Sequence, residues 1–156
     1  MNKDVLSFTN IQIDHELLNE IWKLDPKTLE HIDGMKLSTY ALCLAQYLVY
    51  FTYQRNLSKA EQHRLNKYID RTVSIIMMTT NDEEMKKHKT KASAADFIIS
   101  TNLDLMDAQS KLETIQRELI QVEGMDKVVS ELIATIKREL TRRENELYQV
   151  RMERRN

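Results

Sequence analysis

The residues best equipped for chemistry in this sequence are cations. Lys86, Lys87, Lys89 and Lys91 crowd the segment KKHKTK, with His88 among them and no acid. The acidic triplet Asp82-Glu83-Glu84 lies just before it, and Arg142, Arg143, Arg151, Arg154 and Arg155 form a second basic set near the end of the chain. Unpaired lysines and arginines hold phosphates as point charges. Such binding ignores base identity and weakens steeply with salt. Each cluster also has a plainer explanation. Lysines at a wet corner aid solubility, and cations near a helix C-terminus are favoured by the macrodipole. Side by side in an oligomer, several lysine corners would make a polyanion site on a chain whose formal net charge is only −1.

No catalytic set accompanies these cations. His15, His31, His63 and His88 are scattered. His15 with Glu16, or Glu61 with His63, lacks the i, i+3 or i, i+4 spacing that puts two ligands on one helix face. There is no cysteine pair with zinc spacing, no glycine-rich phosphate loop and no nucleophile elbow. The expectation is a non-enzyme with no metal and no cofactor. The aromatic run YLVYFTYQRN could stack bases, but Tyr47, Tyr50 and Tyr53 fall along one side of a helix, which favours packing. The methionines are read as adaptable core fillers, and Cys43, within the apolar YALCLAQYLVYF, as a buried small hydrophobe in a reducing compartment.

Helices must position these groups. Of 156 residues only two are Gly and one is Pro, while 30% are charged and 6% aromatic. That balance suits long amphipathic helices rather than sheets. The start MNKDVLSFTNIQIDHE lacks the apolar core of a signal peptide. Tyr40 to Phe51 is too short for a membrane span, which needs about 20 residues. A soluble protein of the cytoplasm is expected, the host cytoplasm if a phage encodes it.

The chain reads as one domain: an N-terminal arm and short helices over 1–34, then a long helical hairpin over 35–156. FTNIQI suits an extended arm. HELLNEIWKL follows as a short helix behind Asp14. Asp25-Pro26 starts another, which is expected to end with Gly34 in the left-handed C′ conformation. Leu37, Ala41, Leu44, Leu48 and Phe51, then Leu65, Ile69, Val73 and Ile76, predict one kinked or barely interrupted helix from Met35 to about Met78, with a break near Asn56 left open. Its only interruption signal is the capping-box pattern Ser58-Lys59-Ala60-Glu61 near Asn56. Thr80-Asn81-Asp82-Glu83 predicts a short corner helix carrying the lysines, and Ser93-Ala94-Ala95-Asp96 the start of the last element.

That last element carries the strongest pattern. Leu105, Leu112, Leu119, Asp126, Ile133, Leu140 and Leu147 recur every seven residues. Interleaved with them are Ala108, Ile115, Val122, Val129, Ile136, Arg143 and Val150. Only Asp126 and Arg143 are not apolar. A sustained 3.5-residue repeat means a seam between supercoiled helices. Unbroken, Leu105 to Val150 would span roughly 68 Å; Gly124 and Asp126 mark the weak point, where a kink is expected. A lone hairpin cannot cover both this seam and the face from Tyr47 to Tyr53, so a homo-oligomer is expected.

The order of LAQYLVYFTYQRN, KTKASAAD and KRELTRRENELYQVR resembles a group of small helical proteins of tailed bacteriophages. The layout over roughly residues 25 to 150 is most similar to the UvsY-type recombination mediators. The resemblance implies an oligomeric accessory protein of DNA recombination or replication. Such a protein binds single-stranded DNA and works with a recombinase or a single-strand-binding protein. Those mediators carry a basic, aromatic, Gly-containing segment where this chain has RTVSIIMMTTND, so only the lysine corner and the arginine tail carry over. The alternative is a structural or adaptor protein, a virion component or an inhibitor of a host system, acting through helix–helix contacts alone.

Overall fold

The computed structural model describes residues 12–79, 87–88 and 90–154, and every regular element among them is helical. The all-α expectation holds. In order come α1 (His15–Trp22), a 3-10 turn (Pro26–His31), α2 (Gly34–Thr79), α3 (Lys91–Thr101), α4 (Leu103–Gln121) and α5 (Met125–Glu153). The described chain forms two compact units. One takes residues up to 54 together with those from 124 onward; the other takes 55–123.

In the first unit, α1, the 3-10 turn and the start of α2 pack with α5. Leu18, Ile21, Leu29, Leu37, Tyr40, Cys43, Leu44, Val129 and Ile136 form the core, with Leu132, Ile133 and Leu140 packed against it. Asp14 caps α1 by accepting from the Leu17 amide at 2.9 Å. Asp25 caps the 3-10 turn by accepting from the Lys27 amide at 2.9 Å. Trp22 meets Tyr47 edge to face at 6.3 Å, and Tyr47 stacks on Phe51 at 5.9 Å. These rings are engaged in packing.

In the second unit, Leu65, Ile69 and Val73 of α2 pack with Ile98 of α3 and Leu105, Ala108 and Leu112 of α4. The α2 helix runs without a break through Ser58 to Glu61. Mid-helix, those amides already have i−4 carbonyl partners, so the capping pattern there has nothing to cap.

The structure moves four expected boundaries. Gly34 does not close the preceding turn. Asp33 opens α2 instead, its carboxylate accepting from the amides of Met35 at 2.9 Å and Lys36 at 3.3 Å. Gly124 is the only described residue with a left-handed φ, at 85°. The last element starts at Lys91, not Ser93, because Thr90 is the cap and accepts from the Ser93 amide at 3.1 Å. That element is also three helices. Asn102 ends α3 and caps α4, accepting from the amides of Asp104 and Leu105 at 3.0 and 3.2 Å. Gly124 then separates α4 from α5 completely, where only a kink was expected, because a left-handed residue cannot continue a right-handed helix. Of the FTNIQI arm only Gln12 and Ile13 are described, without regular structure, Ile13 packing against the first core; of the corner helix begun by Thr80 only Lys87 and His88 are described, and the rest of both lies outside the described residues.

Candidate functional site

Of the lysine corner, Lys86 and Lys89 lie outside the described residues. Lys87 is exposed, and Lys91 is exposed in the first turn of α3. Neither meets a carboxylate among the described residues. His88 between them is anchored: its ring lies 4.8 Å from that of Phe97, and Nδ1 sits 2.9 Å from the Ser93 hydroxyl. The corner therefore presents two exposed ammonium groups, without a carboxylate partner among the described residues, beside a fixed imidazole.

The arginine set divides. Arg155 lies outside the described residues. Arg151 and Arg154 are exposed and make no ion pair among the described residues. Arg142 is held by two acids of its own helix, Glu139 at 2.8 Å and Glu146. Arg143 is taken up by the fold. Its guanidinium donates to the carbonyls of Ile32 at 2.7 Å, Leu29 at 2.8 Å and Glu30 at 3.0 Å, while Nε donates to Glu139 at 2.7 Å. These carbonyls end the 3-10 turn, where backbone partners become scarce; Leu29 alone of the three also accepts from a backbone amide, that of Ile32. Arg142 and Arg143 are thus not free to hold phosphate as the sequence suggested. Between them, Glu139 accepts hydrogen bonds from both guanidinium groups, first from Arg142, and its carboxyl is pulled down to about 2.

The heptad seam is likewise divided. Leu105, Ala108 and Leu112 are buried in the second unit, with Ile115 packed at its edge. Leu119 and Val122 are half-buried. Val129 and Ile136 are buried in the first unit, with Ile133 and Leu140 against them. The chain itself therefore covers much of the seam from Leu105 to Leu140. Beyond Arg143 the cover ends. Leu147 is 61% exposed and Val150 45%, flanked on other faces of α5 by exposed Tyr148 and Met152. A hollow of about 320 Å³ lies here, lined by Arg143, Glu146, Leu147 and Val150.

Sequence reasoning missed a second polar cluster. Glu20 accepts from Lys36 Nζ at 2.6 Å and from the Tyr40 hydroxyl at 2.8 Å, and so ties α1 to α2. Its only trace in the sequence is that Lys36 and Tyr40 stand one turn apart. Among the described residues no group of three His, Cys, Asp or Glu side chains could hold a metal ion. No helix among the described residues is long and apolar enough to cross a membrane. The chain matches no known protein-family model, no curated protein and no solved structure.

Proposed function

We propose that this chain is a non-enzymatic binding protein that works through helix–helix contacts, with the last turns of α5 as its contact surface. One observation carries this reading. The apolar heptad continues through Leu147 and Val150 after the chain's own core has ended, which leaves two large side chains in water on a seam built for a facing helix.

A second reading rests on a separate observation. Lys87 and Lys91 are exposed without acidic partners among the described residues, which suits an accessory protein that holds single-stranded DNA by its phosphates. The two readings separate in one assay: fluorescence anisotropy of a labelled single-stranded oligonucleotide across a salt series. Helix contacts alone predict no binding even at about 50 mM salt, where electrostatic affinity is strong. Binding that falls steeply with salt, and that weakens with a flatter slope in a Lys87→Ala/Lys91→Ala variant, would replace the first reading with the second.

A further inference from the structure

The first half of α2 presents a face with no charge on it. From Leu37 to Gln54 the sequence holds no Lys, Arg, Asp, Glu or His, in a chain of which 30% is charged. One side of this stretch is accounted for, because Leu37, Tyr40, Cys43 and Leu44 lie in the first core. The other side stands in water: Met35 is 80% exposed, Leu42 61% and Val49 44%. These three recur every seven residues, and Leu42 lies roughly 160° around the helix from Leu44. The elements that pack with α2 here occupy the Leu44 side, so a helix laid along the Met35–Val49 row meets none of them. Solvated helix faces carry charge, and an uncharged row of large side chains marks a contact surface. Its hydroxyl groups already have partners. Ser38 donates to the Gly34 carbonyl at 3.1 Å and Thr39 to that of Met35 at 3.0 Å, so neither loses a donor bond when water is removed.

Spacing identifies what covers the row. Three residues after each large side chain comes a smaller one: Ser38 after Met35, Ala45 after Leu42 and Thr52 after Val49. Two such helices laid antiparallel fit each other. With Leu42 of one copy opposite Ala45 of the other, Met35 falls opposite Thr52 and Val49 opposite Ser38. Every layer then joins a large side chain to a smaller one, which is how facing helices interdigitate without voids or clashes. A parallel pair in register sets Leu42 against Leu42 and Ala45 against Ala45, a bulge and then a gap. Charge selects no other occupant, since a face without charge offers neither an ionic partner surface nor a polyanion anything to pair with.

We infer that α2 pairs antiparallel with α2 of a second copy through the Met35, Leu42 and Val49 row, with Ala45 of each copy receiving Leu42 of the other. This surface is separate from the last turns of α5. It adds a self-contact to the helix-contact reading above without resting on it.

Sedimentation equilibrium of the full chain over a concentration series tests the pairing, and a monomer–dimer equilibrium is expected. Leu42→Glu should weaken it by more than about tenfold, because the carboxylate would be buried in a central layer. Ala45→Leu is the sharper variant. It adds apolar surface, so a face that is merely sticky would associate more tightly. The proposed register instead puts two leucines in one layer, and the dimer should weaken about tenfold. The swapped chain, Leu42→Ala/Ala45→Leu, restores a large-to-small layer and should regain most of the affinity. Leu42 is exposed and Ala45 half-buried, and far-UV circular dichroism checks that each variant is folded. Leu147→Glu, at the end of α5, should leave the equilibrium unchanged. A chain that stays monomeric, a dimer indifferent to Leu42→Glu, or one that Ala45→Leu tightens overturns the pairing. A dimer lost with Leu147→Glu but kept with Leu42→Glu also overturns it and leaves the α5 contact standing.

Discussion

Replacing Arg143 should loosen the first unit far more than replacing its neighbour Arg142. Arg143 is 23% exposed and joins α5 to the three carbonyls that end the 3-10 turn. Two of these bonds, to Ile32 and Leu29, are partly buried, and the third is at the surface. A net value of about 1 kcal/mol per bond, less at the exposed carbonyl, gives a loss of about 2–3 kcal/mol for Arg143→Ala. Lysine keeps the charge but not the planar fork that reaches several carbonyls at once. Arg143→Lys should therefore recover about half of that loss or less. Arg142→Ala breaks only exposed pairs within one helix and should cost little. Trp22, the only tryptophan, packs edge-on against Tyr47 in the same unit and reports its unfolding directly. The assay is urea unfolding followed by Trp22 fluorescence. Equal midpoints for Arg143→Ala and Arg142→Ala would refute the clamp and reduce the bonds to surface decoration.

Three further outcomes are expected. The Glu139 carboxyl, held at about 2 by Arg142 and Arg143, contributes stability that is present above the ordinary carboxylate range and lost as pH falls from about 4.5 through 2. The gap in urea midpoint between the parent and Glu139→Gln should therefore narrow over that window; a gap that stays constant would contradict it. Burial, and then the nearby Asp14 charge, pushes the Cys43 thiol up, and its side chain is 5% exposed. A thiol reagent at neutral pH should label it only after urea unfolding, and rapid labelling of the native protein would count against this packing. Gly124→Ala should destabilise by about 1 kcal/mol with Gly124→Asn closer to the parent, because no atom crowds an added Cβ and the cost is the left-handed backbone alone. Thermal melts by circular dichroism would show the order.

Much of the fold was legible because helical periodicity is strong along this chain. The α2 bounds follow from Leu37, Leu44, Leu65, Ile69 and Val73, and the structure extends that helix by one residue at each end. The breaks were harder to read. Asn102 interrupts the last element with an Asx cap that needs only one residue, and the heptad, which begins at Leu105, does not reach back to mark it. A repeat of seven registers side-chain spacing and says little about a single residue between two helices. Gly124 could be read as weak but not as left-handed, since glycine is tolerated in either conformation. Of the cations, sequence gave type and clustering. It could not show that Arg143 faces the carbonyls of residues more than a hundred positions earlier, a contact only the tertiary fold creates.

The two polar exceptions in the heptad mark what the seam faces. A seam made for a matching helix is mostly apolar, with a rare polar residue setting register, and helix flanks offer no bare backbone groups. A seam folded onto its own chain meets the ends of other elements, and those ends do. Asp126 falls in the first turn of α5, where an acid is favoured by the macrodipole. Arg143 falls where the 3-10 turn ends, and it bonds three of the last carbonyls there, one of which, Leu29, also accepts from the Ile32 amide. Both exceptions therefore belong to intramolecular architecture. Past Arg143 the seam positions Leu147 and Val150 are apolar again and exposed, so the part of the repeat that the described core leaves uncovered begins there.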